Sequence, residues 1–217
     1  MNDLDSRFLR LGDCFAQKFS WPGSYRYTVT TAAGACLPVS EGAYTILVKP
    51  RSAGGKGGQH RQHNAVVKQE GATLVADPAE LEIEAGDMVL WHTPDATTPG
   101  FAVVGEGEGG NFSSSALTVE AVYSHPFGAP GRYEWVDAHG GRLRGEVNVE
   151  NLDVRQPEDC KQWLEALSKG TLIKVVGDRS EPECVEILTG QTVFWAVEKA
   201  AGISITDSRL ARKKPAQ

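Results

Sequence analysis

Two stretches of this 217-residue chain are copies of each other. The run from Pro78 through Leu81, Glu82, Ile83, Gly86 and Val89 to Trp91 recurs from Pro182 through Val185, Glu186, Ile187, Gly190 and Val193 to Trp195, 104 residues later. A second set, Phe19, Pro22, Gly23, Tyr25 and Tyr27, returns as Phe127, Pro130, Gly131, Tyr133 and Trp135, 108 residues later. A repeat constrains the fold more than composition does, because each copy is one structural unit that must bury its apolar face against a neighbour. With the first motif named the front half and the second the back half, the chain runs back, front, back, front. Only residues 64–150 present front then back, so the chain starts and ends on halves.

The local patterns are those of strands. Leu81, Ile83 and Ala85, then Val89 and Trp91, alternate with other residues around Gly86, and Val185, Ile187, Val193, Trp195 and Val197 do the same around Gly190. That period of two predicts half-buried strands on either side of a turn. Tyr25, Tyr27 and Val29 alternate after Pro22-Gly23, as Tyr133 and Trp135 do after Pro130-Gly131, and each Pro-Gly pair predicts a type II turn that launches a strand. Closing strands follow at Tyr44, Ile46 and Val48 and at Val147 and Val149. Between residues 151 and 169 the period changes. Cys160, Trp163, Leu164 and Leu167 fall at helical spacing, with Pro157, Glu158 and Asp159 at the start and Gly170 as a C-terminal cap. The apolar face of this helix is expected to pack on a sandwich. Residues 51–63, rich in glycine, read as a flexible linker.

In this order the motifs resemble the cupredoxin family of small blue copper proteins. The resemblance covers residues 64–150 as one continuous unit, and each terminal stretch matches half of the motif. It implies an all-β chain: two Greek-key cupredoxin-like β-sandwiches with one connecting α-helix. The expected organisation is a discontinuous sandwich from residues 1–50 and 170–217, a linker at 51–63, a continuous sandwich at 64–150, and a linker with the helix at 151–169. Self-closure of the two chain ends into a monomer is preferred to a strand-exchanged dimer, because an unpaired half would expose a strand edge and an apolar face.

The copper ligands that the resemblance implies are missing. Gly100 follows Pro99 where the first histidine belongs, and Gly202 stands at the matching place in the last copy. Asp137 and Val29 occupy the cysteine positions, His139 lies one residue early for the second histidine, and Leu143 replaces the methionine. A blue-copper site needs a thiolate and two imidazoles, so no copper cofactor is expected. Asp137 and His139 are the one acid–imidazole pair near that pole and the only weak metal candidates.

Other chemistry has little support in the sequence. His60 and His63 read as an exposed pair beside the linker, and His92 and His125 as strand-end residues. Ser113, Ser114 and Ser115 lack the strand-turn-helix context of a nucleophile elbow. A net charge of −6 leaves no basic face for nucleic acid, and the Arg209, Arg212, Lys213 and Lys214 cluster reads as a solvated tail. No run of about 20 apolar residues offers a membrane span. The acidic start, Met1 to Asp5, argues for a cytoplasmic protein or an excised piece of a longer one. Four cysteines without metal-type spacing read as free thiols, with a Cys14–Cys36 disulfide as the lesser alternative.

The expected function is therefore a non-catalytic structural or protein–protein interaction module with no cofactor. Metal or small-ligand binding by non-family ligands is the alternative, and an enzyme of unknown type the second. Trp91, Trp135 and Trp195 recur at matching places and read as core. Trp21 is unmatched where Ala129 stands, and with Gly105, Glu106, Gly107, Asn111 and Phe112, read as a loop at one pole, it forms the expected partner surface.

Overall fold

The computed structural model describes residues 3–31, 44–51, 60–151, 157–200 and 202–211. The chain is all-β. Its first part holds β1 (Cys14–Lys18), β2 (Gly23–Thr31), β3 (Tyr44–Lys49), β4 (Gln62–Glu70), β5 (Thr73–Asp77), β6 (Glu80–Glu84), β7 (Met88–His92), β8 (Phe101–Gly107) and β9 (Phe112–Ser113). The second part holds β10 (Ala121–Pro126), β11 (Gly131–Val136), β12 (Arg144–Glu150), the helix α1 (Pro157–Leu167), β13 (Thr171–Val176), β14 (Arg179–Glu181), β15 (Cys184–Leu188), β16 (Thr192–Lys199), β17 (Thr206–Asp207) and the short α2 (Ser208–Ala211).

Three sheets result. An eight-stranded sheet, β14-β13-β16-β10-β1-β7-β4-β5, runs through the whole molecule. The sheet β6-β3-β2-β8-β9 faces one half of it, and β15-β12-β11-β17 faces the other. Each facing pair closes on a tryptophan. Trp91 stacks on Phe15 at 5.3 Å and meets Tyr27 edge-on at 5.3 Å. Trp195 stacks on Tyr123 at 5.7 Å and meets Trp135 edge-on at 5.9 Å. All six rings are buried, and such pairs add about 0.5–1.5 kcal/mol each beyond their burial. The phenols repeat as well: Tyr25 Oη donates to the Trp21 carbonyl and Tyr133 Oη to the Ala129 carbonyl, both at 2.9 Å, tying each strand back to the residue four before it.

The pairing of halves is not the one expected from the family order. Residues up to Pro50 are completed by the front half that follows them, not by residues 170–207: Ile46 pairs with Leu81 and Tyr27 with Gly105. The second back half likewise pairs with the second front half, Val147 against Val185. Residues 64–150 therefore do not form one sandwich. The physical reason is connection length, since consecutive elements pair when a short link allows it. The ends of the chain nevertheless meet. Leu4 to Ser6 lie on the second unit, where Ser6 N donates to the Ile205 carbonyl at 2.9 Å and Ile205 N to Ser6 Oγ at 3.0 Å. Residues 112–114, the counterparts 108 positions on, lie on the first unit, where Ser114 N donates to the Val103 carbonyl and Val103 N to Ser114 Oγ. The first unit thus receives β9, and the second an isolated bridge from Asp5 to Thr206, from the segment that leads into the other.

Other expectations change in detail. Gly23 and Gly131 have φ of +153° and +149°, far from the roughly +80° of a type II turn, so the Pro-Gly pairs open strands directly. α1 begins at Pro157 as predicted, and its Trp163 Nε1 donates to the Thr189 carbonyl at 3.1 Å. Only half of its apolar stripe is packed, because Cys160 and Leu164 are exposed. The glycine-rich stretch within 51–63 falls mainly on residues 52–59, outside the described residues, as do Cys36, Arg212, Lys213 and Lys214. Arg209 is solvent-exposed as expected, and its guanidinium also holds Asp207 through two bonds of 2.9 and 2.6 Å.

Ser6 is fully buried, and its hydroxyl is the acceptor for the Ile205 amide. Ser6→Ala leaves that amide without an acceptor, so urea unfolding should show a loss of about 1–3 kcal/mol. An exposed control, Ser168→Ala, should stay within about 0.5 kcal/mol of the parent.

Candidate functional site

The β8–β9 hairpin lies where the two units meet, and a cleft opens on each side of it. The first has a volume of 730 Å³ and is lined by Arg26, Thr28, Val104, Glu106, Ser115 and Gly202, among others. The second, of 590 Å³, is lined by Gln17, Lys18, Ser20, Trp21, Val119 and Glu120. Asn111, Phe112 and Thr118 border both.

Three glycines shape the hairpin. Sequence composition predicts a loop here, yet Gly105 and Gly107 are the closing residues of β8. A Cβ at Gly105 would lie 2.2 Å from the Phe112 ring, one at Gly107 would lie 2.4 Å from the Tyr25 ring, and one at Gly109 would lie 2.2 Å from the Tyr25 hydroxyl. The missing side chains are the slots into which these rings fit. Gly105 and Phe112 therefore belong to the core, whereas Trp21, Glu106 and Asn111 are exposed and Gly107 is half-buried. Phe112 is stacked on Trp91 at 5.6 Å, which removes it from the expected partner surface.

Residues that sequence reasoning missed complete the clefts. Val104 and Val119 are apolar and exposed at the walls. Glu120 has a φ of +69°, the one non-glycine residue in the left-handed region among the described residues, and this turns the inter-unit segment into β10. Its carboxylate accepts from Ser20 Oγ at 2.6 Å and pairs with Lys18 Nζ at 3.3 Å. Gln17 is buried beside them, with its amide nitrogen on the Val119 carbonyl at 3.2 Å and no partner for its Oε1 among the described residues. Burial pushes the Tyr25 phenol up against an opposing backbone hydrogen bond from Gly109, and the nearby Glu108 and Glu120 carboxylates add to the rise. Nothing in the local sequence marks Val119 or Glu120, because both act through contacts with β1 that are about a hundred residues distant in the chain.

The weak metal candidates serve the backbone. Asp137 Oδ1 accepts from Ser204 N at 2.9 Å, Ser204 Oγ at 3.2 Å and His139 N at 3.1 Å, and Oδ2 accepts from Gly141 N at 3.2 Å. His139 is turned away to the Ser115 carbonyl, 2.8 Å from its Nε2. Among the described residues no three His, Cys, Asp or Glu side chains gather as metal ligands. Val29 and Leu143, in different units, are both buried in the core.

Two histidines are held by aspartates. His125 Nδ1 lies 2.6 Å from Asp13 Oδ1, and Tyr123 Oη donates to the same oxygen at 3.4 Å. This trio is sealed between the units, with Asp13 fully buried and His125 only 3% exposed, so no substrate reaches it. His63 is not part of an exposed pair: its Nε2 meets Asp87 Oδ2 at 3.1 Å. Asp87 also accepts from Arg51 Nη2 and from the Arg61 and Glu84 amides. Burial works against its charge, but the Arg61 amide, His63 and the Glu84 amide together hold the carboxyl below its ordinary value of 3.8.

No family model, curated protein or solved structure matches the chain. Among the described residues no helix is long and apolar enough to cross a membrane.

Two outcomes follow for these aspartates. Asp87→Asn should cost about 2 kcal/mol near neutral pH, where the ionised carboxylate is fully bonded. A depressed pKa adds stability above the ordinary value that fades as pH falls through the folded one, so the gap should close below pH 3.8 in pH-dependent urea titrations. Asp137→Ala should cost about 2–3 kcal/mol by freeing buried amides. Excess Zn(II) or Cu(II) should leave the melting midpoint of the parent unchanged, and a rise that Asp137→Ala abolishes would restore Asp137 as a ligand.

Proposed function

We propose that this chain is a non-catalytic protein–protein interaction module built from two copper-free cupredoxin-like sandwiches, and that it holds a partner polypeptide in the clefts beside the β8–β9 hairpin. The observation that carries the reading is the gathering there of three exposed apolar side chains: Trp21 at 68%, Val104 at 45% and Val119 at 47% exposure. Isolated apolar residues on a surface are ordinary, but three around adjoining clefts mark a place where another surface is buried. Trp21 is the natural anchor, since exposed tryptophans dominate recognition energies when they become desolvated.

The chemistry of the walls narrows the partner. Glu106, Glu108 and Glu120 outnumber Arg26 and Lys18 around the hairpin, and the whole chain carries −6. An extended segment with one large apolar residue and flanking basic residues fits this balance. The reading places the module in the cytoplasm, in keeping with free thiols at Cys14, Cys160 and Cys184.

Selection of displayed random peptides on the immobilised chain tests the reading. Enriched peptides should contain an apolar residue beside lysine or arginine, and Trp21→Ala or Val104→Glu should weaken them at least tenfold. Peptides that bind both variants as tightly as the parent would move the partner surface elsewhere.

A further inference from the structure

The two ends of the β1–β10 pair follow one plan and carry different chemistry. Residues 108 apart exchange places across the join, so the register pair of Gln17 with Ala121 corresponds to His125 with Asp13. At the end away from the hairpin the pair is complete, with His125 Nδ1 on the Asp13 carboxylate at 2.6 Å. At the hairpin end Ala121 stands where Asp13 would, and Gln17 meets a methyl group across the strand. Gln17 is only 7% exposed, and its Nε2 donates to the Lys18 and Val119 carbonyls at 3.1 and 3.2 Å. These bonds fix the amide, because turning it over would set its oxygen against two carbonyls. Its Oε1 is left buried and unpartnered among the described residues, in a side chain that lines the second cleft. A buried acceptor without a donor is costly, so this cleft favours a ligand that brings one.

The hairpin end differs at its other positions too. Gly12, with φ of +92°, corresponds to Glu120, which holds φ at +69° despite its side chain. Such a backbone is uncommon for any residue but glycine, and strain of this sort gathers where a side chain is put to use. Ala129 corresponds to Trp21 and Pro126 to Lys18, and Lys18, Trp21 and Glu120 all line the second cleft with Gln17. Glu108 acts with Glu120 on the Tyr25 phenol in the same cleft and adds a second carboxylate. A buried carbonyl, two carboxylates and an open indole face suit one group above others, a planar cation that only donates. Guanidinium has five N–H donors and no acceptor, and it stacks on aromatic rings. Sugar hydroxyls bring acceptors along with their donors, and an ammonium lacks the planar fork and is more strongly hydrated.

We propose that the second cleft holds the guanidinium of an arginine in the partner segment, with its plane on Trp21 and its N–H groups on the Glu120 carboxylate and Gln17 Oε1. The inference rests on the reading of the clefts as a polypeptide site and names the residue that one of them selects. Lys18, whose Nζ lies 3.3 Å from the Glu120 carboxylate, is the resident cation that the arginine displaces.

Titration of the nitrogen-labelled full chain with N-acetyl-arginine amide, followed by NMR at the Gln17 side-chain amide and the Trp21 indole, tests this. Both signals should shift along one saturating curve, and N-acetyl-lysine amide and the neutral citrulline analogue should bind at least about tenfold more weakly. Glu120→Gln should raise the Kd for the arginine probe at least about tenfold, whereas Lys18→Gln, which removes the competitor, should lower it about threefold. Gln17→Met keeps the shape, removes the acceptor and should also weaken the probe; if it fails to fold, the Glu120 and Lys18 variants decide. No shift of these signals by about 50 mM probe overturns the proposal, as does equal binding of the lysine analogue or a Kd that Lys18→Gln leaves unchanged or raises. If displayed peptides still respond to Val104→Glu in that case, the partner surface stands and only its arginine pocket falls; if they do not, both readings fall.

Discussion

The pairing of β1 with β10 is the contact on which the rest of the molecule depends. Four register pairs, Cys14 with Ser124 through Gln17 with Ala121, turn two four-stranded sheets into one of eight. Without that pairing, β1 and β10 would each be an edge with open amides and carbonyls, next to the buried rings of Phe15 and Tyr123. Joined, they remove two edges at once. They also fix the end of the inter-unit segment: Val119 and Glu120 are held against Gln17, Lys18 and Ser20 beside the second cleft.

Much of this is legible from the residues, and the parts that are not share a cause. The strands about Gly86 and Gly190, with φ of +95° and +94°, follow from apolar alternation around a glycine, which is local information. The helix start at Pro157 is equally local. Which half completes which is not, because an alternating series of halves looks the same whether each back half is closed by the front half after it or by one at the far end. Only hydrogen-bonded edges and connection lengths decide. The hairpin fails for a related reason. Glycines at 105, 107 and 109 have the composition of a loop, and their real function appears only when the Phe112 and Tyr25 rings arrive from elsewhere in the chain. Trp21 is recognisable as a surface residue because its counterpart is Ala129, whereas Glu120 has no such signal.

Where the matching positions differ, the units acquire different connections. Asp87 and Gln191 stand 104 residues apart, and each accepts from the amide three residues before it, Glu84 N at 3.2 Å and Leu188 N at 2.6 Å. Asp87 spends its remaining capacity on Arg51, Arg61 and His63, which fastens the approach to β4. Gln191 instead donates to the Ala166 and Lys169 carbonyls and fastens the end of α1. A single exchange of carboxylate for carboxamide thus suits one turn to a cationic segment and the other to the open carbonyls of a helix terminus. β8 spans seven residues and β17 only two, so the cleft-forming hairpin belongs to the first unit alone among the described residues.

Five buried carboxylates among the described residues are committed to the backbone. Asp5, Asp13, Asp87, Asp137 and Asp207 are all less than a tenth exposed. Each accepts from at least one backbone amide: Arg7 N, Arg10 N, Arg61 N, Ser204 N and Arg209 N in turn. A carboxylate held in this way cannot take a substrate proton or a metal without releasing the turn it closes, and an orphaned buried amide costs about 1–3 kcal/mol. The acids that remain uncommitted are those on the surface, and Glu106 and Glu108 lie at the hairpin. These exposed charges beside Trp21 are the ones that the proposed recognition of a partner would use.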